Sequence, residues 1–255
     1  WKIETNIETF KCEKIVITTG SNPKIWELLS GLKHTIIPPV PSLFTFNIKN
    51  SLIQNLMGLS TNVSLKVLGT KLKSNGALLI THWGLSGPAI LRLSAWGARV
   101  LFDKKYQFVL QVNWLGETNF EEAAAFINNL QMEHAKKQIG KFSPFDFPKR
   151  LWENILAEAT IKPDVKWAEL TKKQRVQLAE ILTNSQFQVN GKSTFKEEFV
   201  TAGGVDLKEV NFKTMQSKHL PNLYFAGEVL NIDAITGGFN FQNAWTTAYI
   251  VSQNI

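Results

Sequence analysis

The stretch between residues 223 and 245 holds residue types and spacing that could build a ligand site. It reads LYFAGEVLNIDAITGGFNFQNAW. An apolar run ends at Gly227 and Glu228, the pair Gly237 and Gly238 follows, and a helical pattern then continues to the chain end. Open α/β sheets hold ligands at the carboxyl ends of their strands, and Glu228 stands where such an end is expected. The stretch therefore predicts a ligand site.

These groups suit a flat ring with an electron-rich carbonyl edge, such as a reduced flavin. A carboxylate at Glu228 accepts hydrogen bonds from ribose or ribityl hydroxyls, and glycines let a ring approach the backbone closely. The helix, which we expect to begin at Asn240 or Phe241, offers free amides and the positive end of its dipole. A structural left-handed turn beside a solvated Glu228 explains the same spacing equally well.

A second stretch, THWGLSGP at residues 81–88, has part of a serine-hydrolase pattern. The Gly-x-Ser-x-Gly turn requires glycine at the position of Pro88, and no acid partner is evident, so we disfavour a hydrolase. Ser86 or Gly87 would instead cap a helix that starts at Pro88. His82 is the one catalytic candidate that we single out, and the alternative is a histidine hydrogen-bonded at a strand end.

Composition and charge limit the other kinds of site. The four histidines are far apart and Cys12 is the only cysteine, so we predict no metal site and no internal disulfide. The formal charge is +7, but the lysines are scattered without interleaved aromatics, so we predict no nucleic-acid partner. No apolar run reaches the ~18 residues that span a bilayer, so we predict no membrane partner. A single cysteine fits a reducing compartment such as the cytoplasm.

Local patterns predict an α/β chain with several kinds of segment. A strand precedes Gly20, a helix covers residues 22–32, and the prolines at 38, 39 and 41 predict an extended linker between domains. Asn75-Gly76 predicts a hairpin turn, and the alternation over residues 106–114 predicts a strand with one buried face. Three helical segments follow between residues 119 and 184, with a capping box at Thr171.

Three segments and their order resemble the HI0933-like flavoprotein family. They are KIVITTGS, THWGLSGPAIL and the long segment from VTAGGVDL to NFQNAW. The family is also described as NAD(P)/FAD-dependent or aminoacetone-oxidase-like, and it includes a bile-acid reductase. The resemblance covers essentially the whole chain and implies a bacterial, cytoplasmic flavoprotein.

The resemblance implies three domains. Residues 1–36 and 206–255 would form part of a two-dinucleotide-binding-type FAD domain. Residues 37–118 and 185–205 would form a β-barrel-like domain, and residues 119–184 a helical subdomain inserted into it. THWGLSGP is similar to the family turn that faces the flavin from the second domain.

The resemblance also implies cofactor contacts. Thr19 and Gly20 resemble the turn that runs along the cofactor, while Gly227 and Glu228 resemble the turn and acid that hold its sugar-like chain. Thr201, Gly203 and Gly204 resemble the family segment that re-enters the cofactor domain. The family turn that meets the isoalloxazine is matched by a run of five residues in this chain, Gly237, Gly238, Phe239, Asn240 and Phe241.

Two departures from the family pattern affect the expected activity. Relatives usually carry Asp-x-Asp-Gly where this chain has Asn231, Ile232, Asp233 and Ala234. None of the sixteen glycines stands in the Gly-x-Gly-x-x-Gly pattern that holds a pyrophosphate, and the acid for the ADP ribose has no candidate. We therefore expect the N-terminal portion of a longer parent to supply both and to be missing from this chain.

The expected function follows from that absence. The chain would be a fragment of an FAD-dependent oxidoreductase of unknown substrate, binding FAD weakly or not at all and inactive alone, because lost contacts cost affinity tenfold per ~1.4 kcal/mol. FAD would be the cofactor of the parent, the substrate a small molecule, and a nicotinamide nucleotide the candidate electron donor. The alternative is a non-catalytic binding module without bound flavin.

Overall fold

The computed structural model describes residues 1–193 and 200–255 as two compact units. One unit contains residues 1–43 and 200–255, and the other contains residues 44–193. Both sheets and helices occur, so the predicted mixed α/β class is confirmed. Within the described ranges, no helix has the length and apolar character that crossing a bilayer would require.

The elements are short strands interleaved with seven helices in the part of the chain that the structure describes. The strands in chain order are β1 (Lys2–Glu4), β2 (Thr9–Lys11), β3 (Ile15–Ile17), β4 (Ile36–Ser42), β5 (Thr45–Asn47), β6 (Ser60–Val67), β7 (Lys73–Ile80), β8 (Gly84–Ser86), β9 (Gln107–Asn113), β10 (Ser185–Asn190), β11 (Lys192–Ser193), β12 (Val200–Val205), β13 (Val210–Asn211), β14 (Gln216–Ser217) and β15 (Leu223–Phe225). The helices are α1 (Pro23–Gly31), α2 (Pro88–Trp96), α3 (Ala98–Asp103), α4 (Phe120–Glu133), α5 (Lys149–Glu158), α6 (Lys172–Asn184) and α7 (Phe239–Ser252).

The first unit is built around a four-stranded sheet in the order β13-β14-β15-β3. Strands β3 and β15 are parallel, with Ile17 opposite Phe225. Phe225 is fully buried, and the indole of Trp26 on α1 donates a hydrogen bond to the carbonyl of Val229 at 2.9 Å. Because the two strands are parallel, their carboxyl ends lie at the same edge of the sheet.

The proline-rich segment is a strand, and the predicted linker at residues 38–41 is wrong. Strand β4 pairs antiparallel with β12, with Val40 opposite Ala202 and Pro41 opposite Thr201. The two form a separate two-stranded sheet, so β4 has a single neighbour. A proline without an amide proton is tolerated in a strand that pairs on only one side. The extended path of this segment was predicted correctly. Its partner strand could not be predicted, because Thr201 lies 160 residues from Pro41 in the sequence.

The second unit contains a seven-stranded antiparallel sheet in the order β10-β9-β6-β7-β8-β5-β11. The hairpin predicted at Asn75-Gly76 is misplaced, because Asn75 lies inside β7 opposite Ser64. The chain instead turns between β6 and β7 near Gly69, which adopts φ +73°. This register buries Leu65 and Leu78 on the same side of the sheet, and a turn at residues 75–76 would break that alternation.

The strand with one buried face and the helical segments were predicted correctly. Residues 108, 110, 112 and 114 are buried, as the alternation indicated. Helix α6 begins at the predicted capping box, in which the hydroxyl of Thr171 accepts from the amide of Gln174 and the Gln174 side chain accepts from the amide of Thr171. Asn119 and Glu122 form a second box at the start of α4. All these helices contribute to one core with the sheet.

Candidate functional site

The carboxyl edge of the parallel pair β3 and β15 brings together residues from the two ends of the chain. The amide of Ala226 donates to the carbonyl of Ile17 at 3.0 Å, which holds the two strand ends side by side. Thr19 and Gly20 follow β3, and Gly20 adopts φ +64° with open space where a Cβ would stand. The structure therefore places the Thr19–Gly20 turn at the same edge as the turn that follows β15.

Glu228 lies on a single turn of 3-10 helix, Gly227–Val229, directly after β15. Gly227 adopts φ +77°, and its amide donates to the hydroxyl of Thr247 on α7 at 2.9 Å. Burial raises the pKa of Glu228 above its ordinary value of 4.5. A half-buried carboxylate at the carboxyl edge of a parallel pair is well placed to accept hydrogen bonds from ligand hydroxyls.

The loop before α7 is held by a reciprocal pair of hydrogen bonds. Asn240 accepts from the amide of Ala234 at 2.9 Å and donates to the carbonyl of Ala234 at 3.0 Å. Gly238 is the N-cap residue at φ +84°, and Gly237 adopts φ +122°. Helix α7 begins at Phe239, so the predicted start at residues 240 or 241 is one or two residues late. The glycine pair thus leads directly into the free amides of the first helical turn.

Strand β12 lies behind the turn that carries Glu228. Val205 and Leu230 form a parallel bridge, and the amide of Asn231 donates to the carbonyl of Val205 at 3.0 Å. A Cβ on Gly204 would stand 2.5 Å from the carbonyl oxygen of Val229. Gly203 and Gly204 therefore allow close backbone packing and are not open to a ligand. Thr201, on the same strand, pairs with the proline-rich strand.

Sequence reasoning missed Asn243, one turn into α7. Its side-chain amide nitrogen is buried and has no hydrogen-bond partner among the described residues. Buried amide groups normally find partners, so an unsatisfied one marks a position where a ligand could supply an acceptor. The available signal was an asparagine inside a helical pattern, since asparagine is a poor residue for a helix interior.

These groups fit the flavin that the resemblance implies. Glu228 supplies an acceptor for hydroxyls, and Asn243 supplies an unsatisfied donor. The first turn of α7 supplies amides and a dipole that favour developing negative charge. Gly20 and Gly238 have open space within 4 Å of the position that a Cβ would take, so both leave the backbone accessible to a flat ring.

The stretch at residues 81–88 lies in the second unit and does not form a nucleophile site. Ser86 is buried in β8, where its hydroxyl accepts from the hydroxyl of Thr45 at 2.9 Å. A Cβ on Gly84 would stand 2.3 Å from the carbonyl oxygen of Phe46. Gly87, one of the two residues predicted to cap this helix, is the N-cap of α2. His82 is exposed at the turn before β8.

A buried histidine in the first unit was not singled out from the sequence. The Nδ1 of His34 lies 3.2 Å from Glu209 Oε2, and its Nε2 lies 3.2 Å from the hydroxyl of Ser217. Burial lowers the pKa of His34 below 6.5, although Glu209 opposes the shift. Burial alone would raise the pKa of Glu209, yet hydrogen bonds from Thr35 and His34 leave it below its ordinary value. No group of three or more potential metal ligands occurs in the described ranges.

Comparisons with known proteins place these features in a family context. Residues 40–200 match the family model described as HI0933-like protein barrel and H2TH domain. Over 99% of its length, the chain is 31% identical to Ribosomal RNA dihydrouridine synthase of Escherichia coli (strain K12) and 29% identical to the protein of the same name from Haemophilus influenzae. Over 92% of its length it is 27% identical to 3-dehydro-bile acid delta(4,6)-reductase of Clostridium scindens. The chain spans 63%, 63% and 58% of these three relatives, respectively.

The comparisons confirm the resemblance at the level of the family, including its bile-acid reductase. They contradict the predicted function, a fragment of an oxidoreductase of unknown substrate or a non-catalytic module. Relatives that match nearly the whole chain are named as enzymes that act on ribosomal RNA. The predicted absence of a nucleic-acid partner is wrong for the same reason. The small-molecule substrate stays a prediction. The lysines are scattered along the sequence, but strands can bring lysines together in space.

Proposed function

The chain belongs to the HI0933-like family, and from this premise we propose that it takes part in the flavin-dependent reduction of uridine in ribosomal RNA, in the cytoplasm. The carrying observation is the similarity to two ribosomal RNA dihydrouridine synthases along 99% of the chain. The finer features in this proposal are a dinucleotide-binding type of fold for the first unit and FAD as the cofactor.

The names of the three relatives describe one class of reaction. Forming dihydrouridine adds a hydride and a proton across a ring double bond that is conjugated to a carbonyl. A delta(4,6)-reductase acting on a dehydro-bile acid reduces double bonds of a steroid. The shared chemistry is reduction of an activated carbon–carbon double bond. A bound reduced flavin supplies the hydride for this chemistry.

The residues at the carboxyl edge of β3 and β15 would hold and orient the flavin. Glu228, at the same sheet edge as the turn of Thr19 and Gly20, would accept hydrogen bonds from the hydroxyls of the ribityl chain. The amides that follow Gly238, together with the Asn243 donor, would favour the negative charge that a bound flavin gains on reduction. Phe239 and Phe241 are exposed in the first turn of α7 and would offer apolar contact to the ring.

His82 is our candidate for the proton donor to the uracil ring. Its side chain is exposed in the second unit, and an imidazole is a common proton donor in enzymes. A His82→Ala variant should retain flavin binding and lose turnover by roughly 10²-fold or more, as loss of a general acid does. Turnover equal to that of the unsubstituted protein would show that His82 is not the proton donor, and the rest of the proposal would stand.

Anaerobic mixing tests the function. The protein is reconstituted with FAD, reduced with dithionite, freed of excess reductant, and mixed with unmodified ribosomal RNA or with a dienone steroid. We expect the oxidised-flavin absorbance to return on mixing with RNA, and to return more slowly in a Glu228→Gln variant that binds less FAD. Reoxidation by the steroid alone, or a protein that retains no flavin after desalting, would refute the proposal.

A further inference from the structure

Most outward-facing residues on the strands of the sheet in the second unit are lysines, amides or hydroxyl residues, and none of them is acidic. No aspartate or glutamate occurs anywhere in β6, β7, β9 or β10. Buried residues alternate with exposed or half-buried ones along these strands, and apart from Thr61 and Gly76 the exposed and half-buried residues share the outer face of the sheet. In a chain with 21 acidic residues, this leaves a surface whose strand charges are all positive.

The register aligns these side chains into two adjacent rows across the strands. In the first row Lys73 lies opposite Lys66, Lys66 opposite Gln111, and Gln111 opposite Gln186. With strands about 4.8 Å apart, this row extends for about 14 Å. In the second row Asn75 lies opposite Ser64, which lies opposite Asn113. We define these seven residues as the polar face.

The polar face contains a feature that favours an anion. Lys66 and Lys73 stand directly opposite each other on neighbouring strands, and like charges in that position destabilise a sheet. Both side chains are exposed, so a bound anion between them would relieve the repulsion. Phosphate groups of a nucleic acid are anions that lysines bind in this way.

A cleft and an exposed aromatic ring adjoin the lysine pair. The cleft has a volume of about 850 Å³, and six of the seven residues of the polar face line it. Trp96, at the end of α2, also lines the cleft and is 60% exposed. The guanidinium of Arg92 lies 5.8 Å from the centre of the Trp96 ring. Glu117 and Glu180 are the acidic residues among the described lining, and Glu117 accepts a hydrogen bond from Ser64 at 3.1 Å.

We propose that the polar face and Trp96 bind a single-stranded segment of the RNA substrate, an inference that rests on the proposed function. Lys66 and Lys73 contact phosphates, the side-chain amides of Gln111 and Asn75 pair with base edges, and Trp96 stacks on a base. Amide side chains offer a donor and an acceptor together, which is what base edges require. Single-stranded loops expose those edges, whereas the deep major groove of an RNA duplex hides them.

Salt-dependent binding tests the lysine pair. A labelled single-stranded oligoribonucleotide is titrated with the FAD-reconstituted protein at several salt concentrations. For single strands each neutralised phosphate contributes about 0.7 to the slope of log K against log salt, so Lys66→Gln with Lys73→Gln should lower the slope by about 1.4. The matched control is Lys172→Gln with Lys173→Gln, an exposed pair at the start of α6, which should leave the slope unchanged.

The aromatic contact has its own variants. Trp96→Ala should weaken binding by roughly tenfold, since stacking contributes about 1–3 kcal/mol per base, and Trp96→Phe should restore most of it. Trp96 is largely exposed, so the fold should tolerate both changes. A duplex of the same sequence should bind more weakly than the single strand.

The outcomes separate this inference from the proposed function. If the parent protein reduces RNA and the Lys66/Lys73 variant binds with an unchanged slope, the polar face is not the RNA site, and the proposed function stands. If the unsubstituted protein neither binds nor reduces RNA, both this inference and the proposed function fail. If a polyglutamate peptide displaces the RNA at equal charge concentration, the face is a general anion surface that suits acidic proteins, and the inference is overturned.

Discussion

At the scale of single residues, burial changes what a titratable side chain contributes. Glu228 and His34 both lie in the first unit, and burial disfavours the charged form of each. For Glu228 this raises the pKa, and no protein cation is seen to offset it among the described residues. For His34 it lowers the pKa, and contacts with Glu209 and Ser217 hold the ring in place. The same physical cause therefore has opposite consequences for pH dependence.

Glu228→Gln should stabilise the protein at neutral pH. Because the folded pKa of Glu228 is raised above 4.5, the folded state binds its proton more tightly than the unfolded state. Stability is therefore lost as pH rises through the folded pKa, and a glutamine avoids that loss. Thermal unfolding without flavin should show the variant more stable at pH 7 and equal to the parent protein at pH 4. A less stable variant at pH 7 would contradict the burial argument.

His34→Gln should destabilise the protein most at pH 7 and above. The folded pKa of His34 lies below 6.5, so the unfolded chain takes up a proton first as pH falls below 6.5. The stability that the neutral ring provides is present above pH 6.5 and is lost below it. Loss of the ring should cost about 1–3 kcal/mol at pH 7.5, because polar partners are left unsatisfied, and the difference should narrow at pH 5.

The control for that comparison is His82→Gln, a change at an exposed histidine of the second unit. Unfolding curves at both pH values should coincide with those of the parent protein. A constant difference between the His34 variant and the parent across pH 5 to 7.5 would mean that packing, and not titration, explains the effect.

At the scale of elements, glycines decide where strands can meet. Gly84 in β8 adopts φ +144°, and its missing side chain leaves room for the backbone of Phe46 and Ile48. Gly58 also has a positive φ, of +80°, but nothing lies within 4 Å of a Cβ built there. Substitutions at Gly84 and Gly58 therefore distinguish the cost of atomic overlap from the cost of backbone strain.

Gly84→Ala should cost about 3 kcal/mol or more, because strain and overlap with the backbone add. Gly58→Ala should cost about 1 kcal/mol, from strain alone. Denaturant unfolding of the two variants measures the difference. Equal losses of unfolding free energy in the two variants would show that overlap with the Phe46–Ile48 segment adds little to the cost of a side chain in β8.

The sequence predicted elements whose signals are local. Pro23 at the start of α1, the Thr171 capping box and the alternation of β9 each depend on residues within one element. The linker and hairpin predictions failed because strand pairing depends on distant partners. Val40 pairs with Ala202, and the register of β7 is set by core packing. Asn75-Gly76 is a good turn sequence, but burial of the strand face outweighed it.

At the scale of the whole molecule, the candidate site joins segments about 200 residues apart in sequence. Glu228 and the Gly237–Gly238 pair could be proposed from the sequence because they stand close together in it. Asn243 was missed, since only the folded chain shows that its amide is buried without a described partner. The polar face was missed for a similar reason. Lys66 and Lys73 look scattered in the sequence, and only the register shows them opposite each other.

The most direct test of the central claim is nucleoside mass spectrometry of ribosomal RNA after incubation with the reduced, FAD-reconstituted protein. The account predicts that one or a few uridines gain two hydrogens, and that the gain disappears when FAD is omitted. RNA whose uridines all remain unreduced, with a protein that is folded and holds FAD, would contradict it.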